Sequence, residues 1–279
     1  MEKEQKIRLV ISDVDGTLLD SDGVLSPVDF VAVGRLRQAG IKFSLSSARP
    51  PFGMRWLVRT LGVDCTCAAL NGAVLFRPGG NIITELPLER GLVKELQGWM
   101  LQRGLDVWVY TQKHWFVPRL SGPQVRENSD CLRTTPKRYT RLDEVQDPIL
   151  KLVGVNQNPD IIAACTNELR SELGDRACVT ISPPHCIDLT HSLAHKGRAA
   201  AAITLAEGVS RAEVAAVGDS PGDIPMFDAV GTSVAMGQSC GKVRRVASQV
   251  TRSNTENGFA WAIEYVLRGK LIALGDQNR

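Results

Sequence analysis

A short β-branched apolar run, Ile7 to Ser12, stops on Asp13-Val14-Asp15-Gly16-Thr17, and far down the chain Val214 to Val217 stops likewise on Gly218-Asp219-Ser220-Pro221-Gly222-Asp223. Apolar runs this short, closed by turn residues, read as strands buried on both faces, which need helices above and below them. The intervening sequence supplies those helices. Ser26-Pro27 offers an N-cap with proline at the first helical position and Gly40 a stop, so the spacing predicts a helix over Pro27 to Ala39. A strand at Ile41 to Ser46, a helix from Pro51 to about Leu61 and a third strand at Cys65 to Leu70, closed by Asn71-Gly72, continue the pattern. This βαβαβ rhythm specifies an α/β fold with a Rossmann-like parallel sheet.

Near residue 84 the rhythm changes. Leu88 to Arg103 has helical spacing, but Asp106 to Tyr110 and Trp115 to Val117 read as a hairpin with Trp108, Tyr110, Trp115 and Phe116 in its core. A strand at Ile149 to Val155, a helix at Pro159 to Leu173 and strands at Cys178 to Ile181 and Cys186 to Leu189 follow, whereas Ser121 to Asp147 is polar, Arg-rich and takes no assignment. Adjacent strands with helices mark an α+β unit. The alternation returns with a helix at Gly197 to Glu207, the strand at Val214 and a helix near Gly258 to Leu267. The expected division is a core domain of residues 1–83 and 190–279 and an inserted α+β cap of residues 84–189. At about 150 residues per domain, 279 residues accommodate both.

Thirty-three basic against 30 acidic residues leave a charge of +3, too small an excess to argue nucleic-acid or membrane-surface binding. Arg133 to Arg141 and Lys242-Val243-Arg244-Arg245 therefore read as solvated faces. The seven cysteines form no closely spaced pairs of the zinc or redox type and are odd in number, as suits reduced thiols in a cytoplasm. No apolar stretch of signal-peptide length follows Met1 and no run approaches the length that spans a bilayer. A cytoplasmic protein without membrane or nucleic-acid partners, monomeric or a small homo-oligomer, is expected.

In an open parallel sheet ligands bind at the carboxyl ends of the strands. Asp13 and Asp15, two apart on extended chain, are expected to point to one side, with Asp219 and Asp223 arriving from a neighbouring strand. Four carboxylates in one cleft need a cation, and hard oxygen donors favour Mg²⁺, with Lys196 assisting. Thr17, Ser47 and the loop amides can donate to phosphate oxygens. Arg49 can meet substrate or cap, and Asn71-Gly72 is turn chemistry with a backbone contact to substrate as a second reading. His185, His191 and His195 have no zinc-site spacing; His185, on the cap hairpin, can face substrate, and the other two read as surface or hinge residues.

Asp13 to Leu18 (DVDGTL), Ser47 with Arg49, Lys196-Gly197 and Gly218 to Asp223 (GDSPGD) together resemble the haloacid dehalogenase superfamily. The large insert between Asn71-Gly72 and Lys196 is similar to that of its Cof-type phosphatases with an α+β cap. The resemblance implies Asp13 as nucleophile, Asp15 as general acid and base, and Thr17, Ser47 and Lys196 as phosphate-binding. It implies Mg²⁺ held by Asp13, Asp219 and the carbonyl of Asp15, with Asp223 and Ser220 behind them. The implied activity is hydrolysis of a small phosphorylated metabolite, with sugar phosphates the class indicated. Two positions depart from the family: Ser47-Ala48-Arg49 stands for Thr-Gly-Arg, and Gly222 for an asparagine. A phosphomutase of the same fold, and a phosphate-binding protein without turnover, are the alternative readings.

Overall fold

The computed structural model describes residues 6–268 apart from residue 183, so the outer ends of the expected core segments, 1–5 and 269–279, lie outside the described residues. The first layer of the chain is β1 (Leu9–Ser12), α1 (Pro27–Gln38), β2 (Lys42–Leu45) and α2 (Pro51–Thr60). Ser26 caps α1 as its sequence implies, its Oγ accepting from the Asp29 N–H at 3.0 Å, a contact worth about 1 kcal/mol. After the insert come α6 (Lys196–Ala206), β12 (Val214–Gly218), α7 (Ile224–Asp228), β13 (Thr232–Ala235), α8 (Gly241–Val246), β14 (Gln249–Val250) and α9 (Gly258–Arg268).

Five of these strands form one parallel sheet in the order β14-β13-β12-β1-β2. Side chains alternate across it. Val10, Ala215 and Val217 pack with Leu36 of α1 and Phe259 and Ile263 of α9; Leu9, Ile11, Val214 and Ala216 pack with Ala199 and Ile203 of α6 and Met226 and Phe227 of α7. Both faces are thus covered, which explains why every residue of β1 and β12 is buried.

After α2 the chain departs from the expected pattern. The run expected as the third parallel strand forms β3 (Cys67–Ala69), which pairs antiparallel with β4 (Val74–Phe76), itself paired to β5 (Ile82–Glu85). Its link to the main sheet among the described residues is the parallel bridge Ser46–Ala68, so the expected parallel neighbour is kept at one position while the run goes on to start a hairpin. The reason is local: Leu70 and Asn71 take left-handed backbone angles (φ 51° and 57°), turning the chain back on itself as a hairpin.

The insert contributes α3 (Arg90–Gln102), β6 (Asp106–Tyr110), β7 (Trp115–Val117), α4 (Val125–Leu132), β8 (Lys137–Arg138), β9 (Lys151–Val155), α5 (Pro159–Leu173), β10 (Ala177–Ser182) and β11 (Cys186–His191). Their strands make a six-stranded sheet, β10-β11-β9-β6-β7-β8. One face, with Val107, Val109, Leu152 and Leu189, packs on α3 and α5. Trp108, Tyr110, Trp115 and Val153 on the other face pack with Val125 and Leu132 of α4 and with Phe52 of α2. The segment that takes no assignment from sequence therefore holds α4, the element lying between the second sheet and α2. The chain enters the insert between Leu86, whose N–H donates to the Ala73 carbonyl, and Leu88, whose N–H donates to the Ile149 carbonyl and whose side chain packs in the second core; it returns after His191, and Ala194 already packs in the main core.

Candidate active site

Because β12 lies beside β1 with Ser12 opposite Val217, the two acid-bearing loops leave the sheet side by side. The Asp13 N–H donates to the Val217 carbonyl at 2.9 Å, the last ladder bond before the chains diverge. Asp13, Asp219 and Asp223 then offer carboxylate oxygens that all lie within 4.8 Å of one another. Lys196, at the start of α6, enters from the side: its Nζ is 2.6 Å from Asp13 Oδ1 and 2.7 Å from Asp223 Oδ1. Asp13, Asp223 and Lys196 are all buried.

Two glycines make this packing possible. Gly16 has φ 79°, and a Cβ there would lie 2.6 Å from Asp219 Oδ2; at Gly218 a Cβ would lie 2.6 Å from Asp223 Cγ. Both positions need glycine because an acidic side chain occupies the space. Asp223 Oδ2 accepts from the Asp219 N–H (3.1 Å), the Ser220 N–H (2.9 Å) and Ser220 Oγ–H (3.0 Å). Asp223 therefore shapes its own loop and anchors Lys196, with Ser220 among its donors.

Several expectations change at this level. Asp15 does not join the acidic cluster. Strand β1 ends at Ser12, so strand alternation no longer governs residue 15, and the Asp15 carboxylate turns to Arg49, whose Nη2 donates to Oδ1 at 2.6 Å. Thr17 Oγ1 donates to Asp219 Oδ1 at 2.9 Å, so it holds an acid instead of standing free for phosphate. Ser47 is buried and its Oγ accepts from the Arg49 N–H at 3.1 Å, leaving its hydroxyl proton to donate. The Asn71 N–H donates to the Ser47 carbonyl at 2.9 Å. A Cβ on Gly72 would lie 2.9 Å from the Ala199 Cβ, so that turn supports α6 and with it Lys196. His185 lies in the turn between β10 and β11, whereas the crossover toward Lys196 leaves from the other end of β11; the geometry brings it to none of the acids. One participant carried no sequence signal beyond following a strand: Gln238, after β13, donates from Nε2 to the Gly16 carbonyl at 2.6 Å.

The electrostatics are those of a crowded acidic site. Burial first, and then the Asp223 charge, push Asp13 well above the usual carboxylate range against the pull of Lys196. The same two causes push Asp219 up to about 6. Burial alone would lower the Lys196 ammonium, but Asp13 and Asp223 override it and hold it above the usual lysine range. Three carboxylates against one ammonium leave negative charge that a divalent ion suits. The donors fit one: Asp223 is spent on Lys196 and its loop, while Asp13 and Asp219 keep oxygens free beside each other, a hard set matching Mg²⁺.

A carboxyl whose folded pKa exceeds its unfolded value binds its proton more tightly when folded. The metal-free protein is therefore expected to gain stability as pH falls through about 6 and to lose it as pH rises. The gain is on the order of 1–2 kcal/mol for a partly exposed group, or a few degrees in Tm. Thermal melts in chelator at pH 7.5 and 5.0 measure it, and millimolar Mg²⁺ should flatten the slope by stabilising the ionised acids at the higher pH.

The family model for haloacid dehalogenase-like hydrolases matches residues 10–263. The chain is 25% identical over 288 residues to the 5-amino-6-(5-phospho-D-ribitylamino)uracil phosphatase YwtE of Bacillus subtilis strain 168, covering 95% of this chain and 99% of that one. Among solved structures, a haloacid dehalogenase-like hydrolase from Bacteroides thetaiotaomicron superposes with a TM-score of 0.85 at 24% identity, over 94% of this chain and 100% of that one. The sugar phosphatase BT4131, of subclass IIB, superposes with a TM-score of 0.80 at 19% identity, over 92% and 98% of the two chains.

Proposed function

The chain belongs to the haloacid dehalogenase-like hydrolases, and from that premise we propose that it is a Mg²⁺-dependent phosphomonoesterase working through an aspartyl-phosphate on Asp13. The observation that carries this reading is the buried Asp13–Lys196–Asp223 chain beside Asp219, which poises one carboxylate between a fixed ammonium and a second free acid.

Asp13 attacks phosphorus in line, forming an O–P bond while the bond to the leaving oxygen breaks; that oxygen keeps the electron pair and takes a proton from Asp15, which has to enter this step protonated and leaves it as the carboxylate that Arg49 holds. In the second half Asp15, now the carboxylate, takes a proton from water, whose oxygen attacks phosphorus and releases inorganic phosphate and Asp13. Lys196, with two N–H bonds committed to Asp13 and Asp223, has a third for a phosphoryl oxygen, and the Ser47 hydroxyl supplies another donor. A divalent ion held by Asp13, Asp219 and the Asp15 carbonyl would neutralise charge on the phosphoryl group. The named activity of the Bacillus subtilis relative, and the sugar phosphatase among the structural neighbours, support a small, hydroxyl-rich phosphate ester as substrate.

A panel of phosphate esters incubated with chelator-treated protein tests the reading. Free phosphate is expected only when Mg²⁺ is restored, with activity in chelator down by at least about 10²-fold. Conversion to an isomeric phosphate with none released would instead establish a mutase. Metal-dependent ligand binding without turnover would establish a phosphate sensor.

A further inference from the structure

Arg49 stands where the two sheets' territories meet. Its guanidinium is buried, yet the Asp15 side chain it grips is about half exposed. Nε donates to Asp15 Oδ2 at 2.8 Å and Nη2 to Oδ1 at 2.6 Å, a two-point fork that fixes both carboxylate oxygens. Nη1 donates at 2.8 Å to the carbonyl of Cys131, and the Cys131 Sγ lies 3.1 Å from Nη2. Cys131 belongs to the last turn of α4, where carbonyls lack partners within the helix. The same guanidinium therefore caps a helix of the insert and clamps an acid of the core.

That helix is seated on α2 at three further points. Leu132 Cδ2 fills the space over Gly53, 2.7 Å from where a Cβ would stand. Phe52 packs into the cluster containing Trp108 and Leu132. The Arg133 guanidinium lies 3.6 Å from the centre of the Trp56 ring. With Asp15 as sole partner the Arg49 fork could swing with the carboxylate; the Cys131 carbonyl gives it a second anchor and one direction.

We propose that Arg49 is a positioning residue through which docking of α4 on α2 aims the Asp15 carboxyl. Seating of the insert is thereby coupled to proton transfer, with Nε and one N–H of each terminal nitrogen directed to Asp15 and the Cys131 carbonyl. The inference rests on the assignment of Asp15 to proton transfer made above.

The ratio kcat/KM includes steps only through departure of the leaving group, and a positioned acid matters there for an alkoxide but little for 4-nitrophenolate. Arg49→Lys keeps the charge but not the fork, and Gly53→Val fills the seat of Leu132 without touching Arg49. Each is expected to lower kcat/KM for the best alkyl phosphate of the panel by about 10²-fold and for 4-nitrophenyl phosphate by less than about threefold. Equal losses on both esters in Arg49→Lys would overturn the proposal in favour of a substrate contact or a structural role. A wild-type alkyl-to-aryl ratio in Gly53→Val, with its melting temperature retained, would overturn the coupling to α4. Should the unaltered protein release phosphate from neither ester, the phosphatase reading itself falls, and that result is separable from the others because it needs no variant.

Discussion

Asp13→Asn is expected to reduce phosphate release from 4-nitrophenyl phosphate by at least about 10⁴-fold, the scale on which loss of a covalent nucleophile is felt. An amide oxygen at the same place is too weak a nucleophile to open the phosphorus centre. The substitution should nevertheless leave the protein folded. Asp13 is one of three carboxylates crowded around a single ammonium, and burial and Asp223 already push it toward its neutral form. Removing one negative charge relieves that repulsion, so the metal-free variant is expected to melt no lower than the parent protein at pH 7.5. Turnover approaching that of the parent, measured as free phosphate at saturating Mg²⁺, would sink the assignment of Asp13 as nucleophile.

Lys196→Met should be the more damaging change to the fold. The ammonium is the only cation in contact with Asp13 and Asp223 among the described residues, and all three groups are buried. Taking one partner out of such a network leaves uncompensated buried charge, a loss on the order of 3–5 kcal/mol. The acids can escape only by binding protons. The drop in Tm relative to the parent is therefore expected to be largest near pH 8 and to shrink as the pH falls and the crowded acids, Asp13 and Asp219 among them already raised in the parent, take up protons. Activity should fall by about 10²–10³-fold as well, because a fixed donor to the phosphoryl oxygens is gone. A Tm deficit independent of pH would show that Lys196 acts through packing of its stem instead of its charge.

How much of this was legible beforehand depended on how local the cause is. Ser26-Pro27 and Gly40 mark the ends of α1 through caps that involve residues a few positions apart, and the structure places α1 at Pro27–Gln38. The same holds for α5, with Asn158 and Pro159 at its start. The alternating acids misled for a related reason. Period-two alternation is valid only while the chain stays extended, and beyond Ser12 a turn through Gly16, at φ 79°, takes over. Of the run Cys65 to Leu70, Cys67–Ala69 is extended and keeps one parallel bridge to the main sheet, but left-handed angles at Leu70 and Asn71 redirect the chain into an antiparallel hairpin that sequence did not show.

The residues themselves determined which chemistry was on offer: two buried strands ending in acids and glycine, a lysine heading a helix, and hydroxyls and an arginine at the remaining strand ends. Only the tertiary structure decided who meets whom. Asp15 left the other acids for Arg49, Thr17 turned to Asp219, Gln238 reached Gly16, and a helix from the segment of weakest pattern came to rest on Arg49. Strand and helix signals are short-range, set by backbone preference and the side-chain period within one element. Partnerships across the chain are chosen by where packing of the whole leaves each charge, and a polar side chain carries no mark in its own neighbourhood of the one it will pair with.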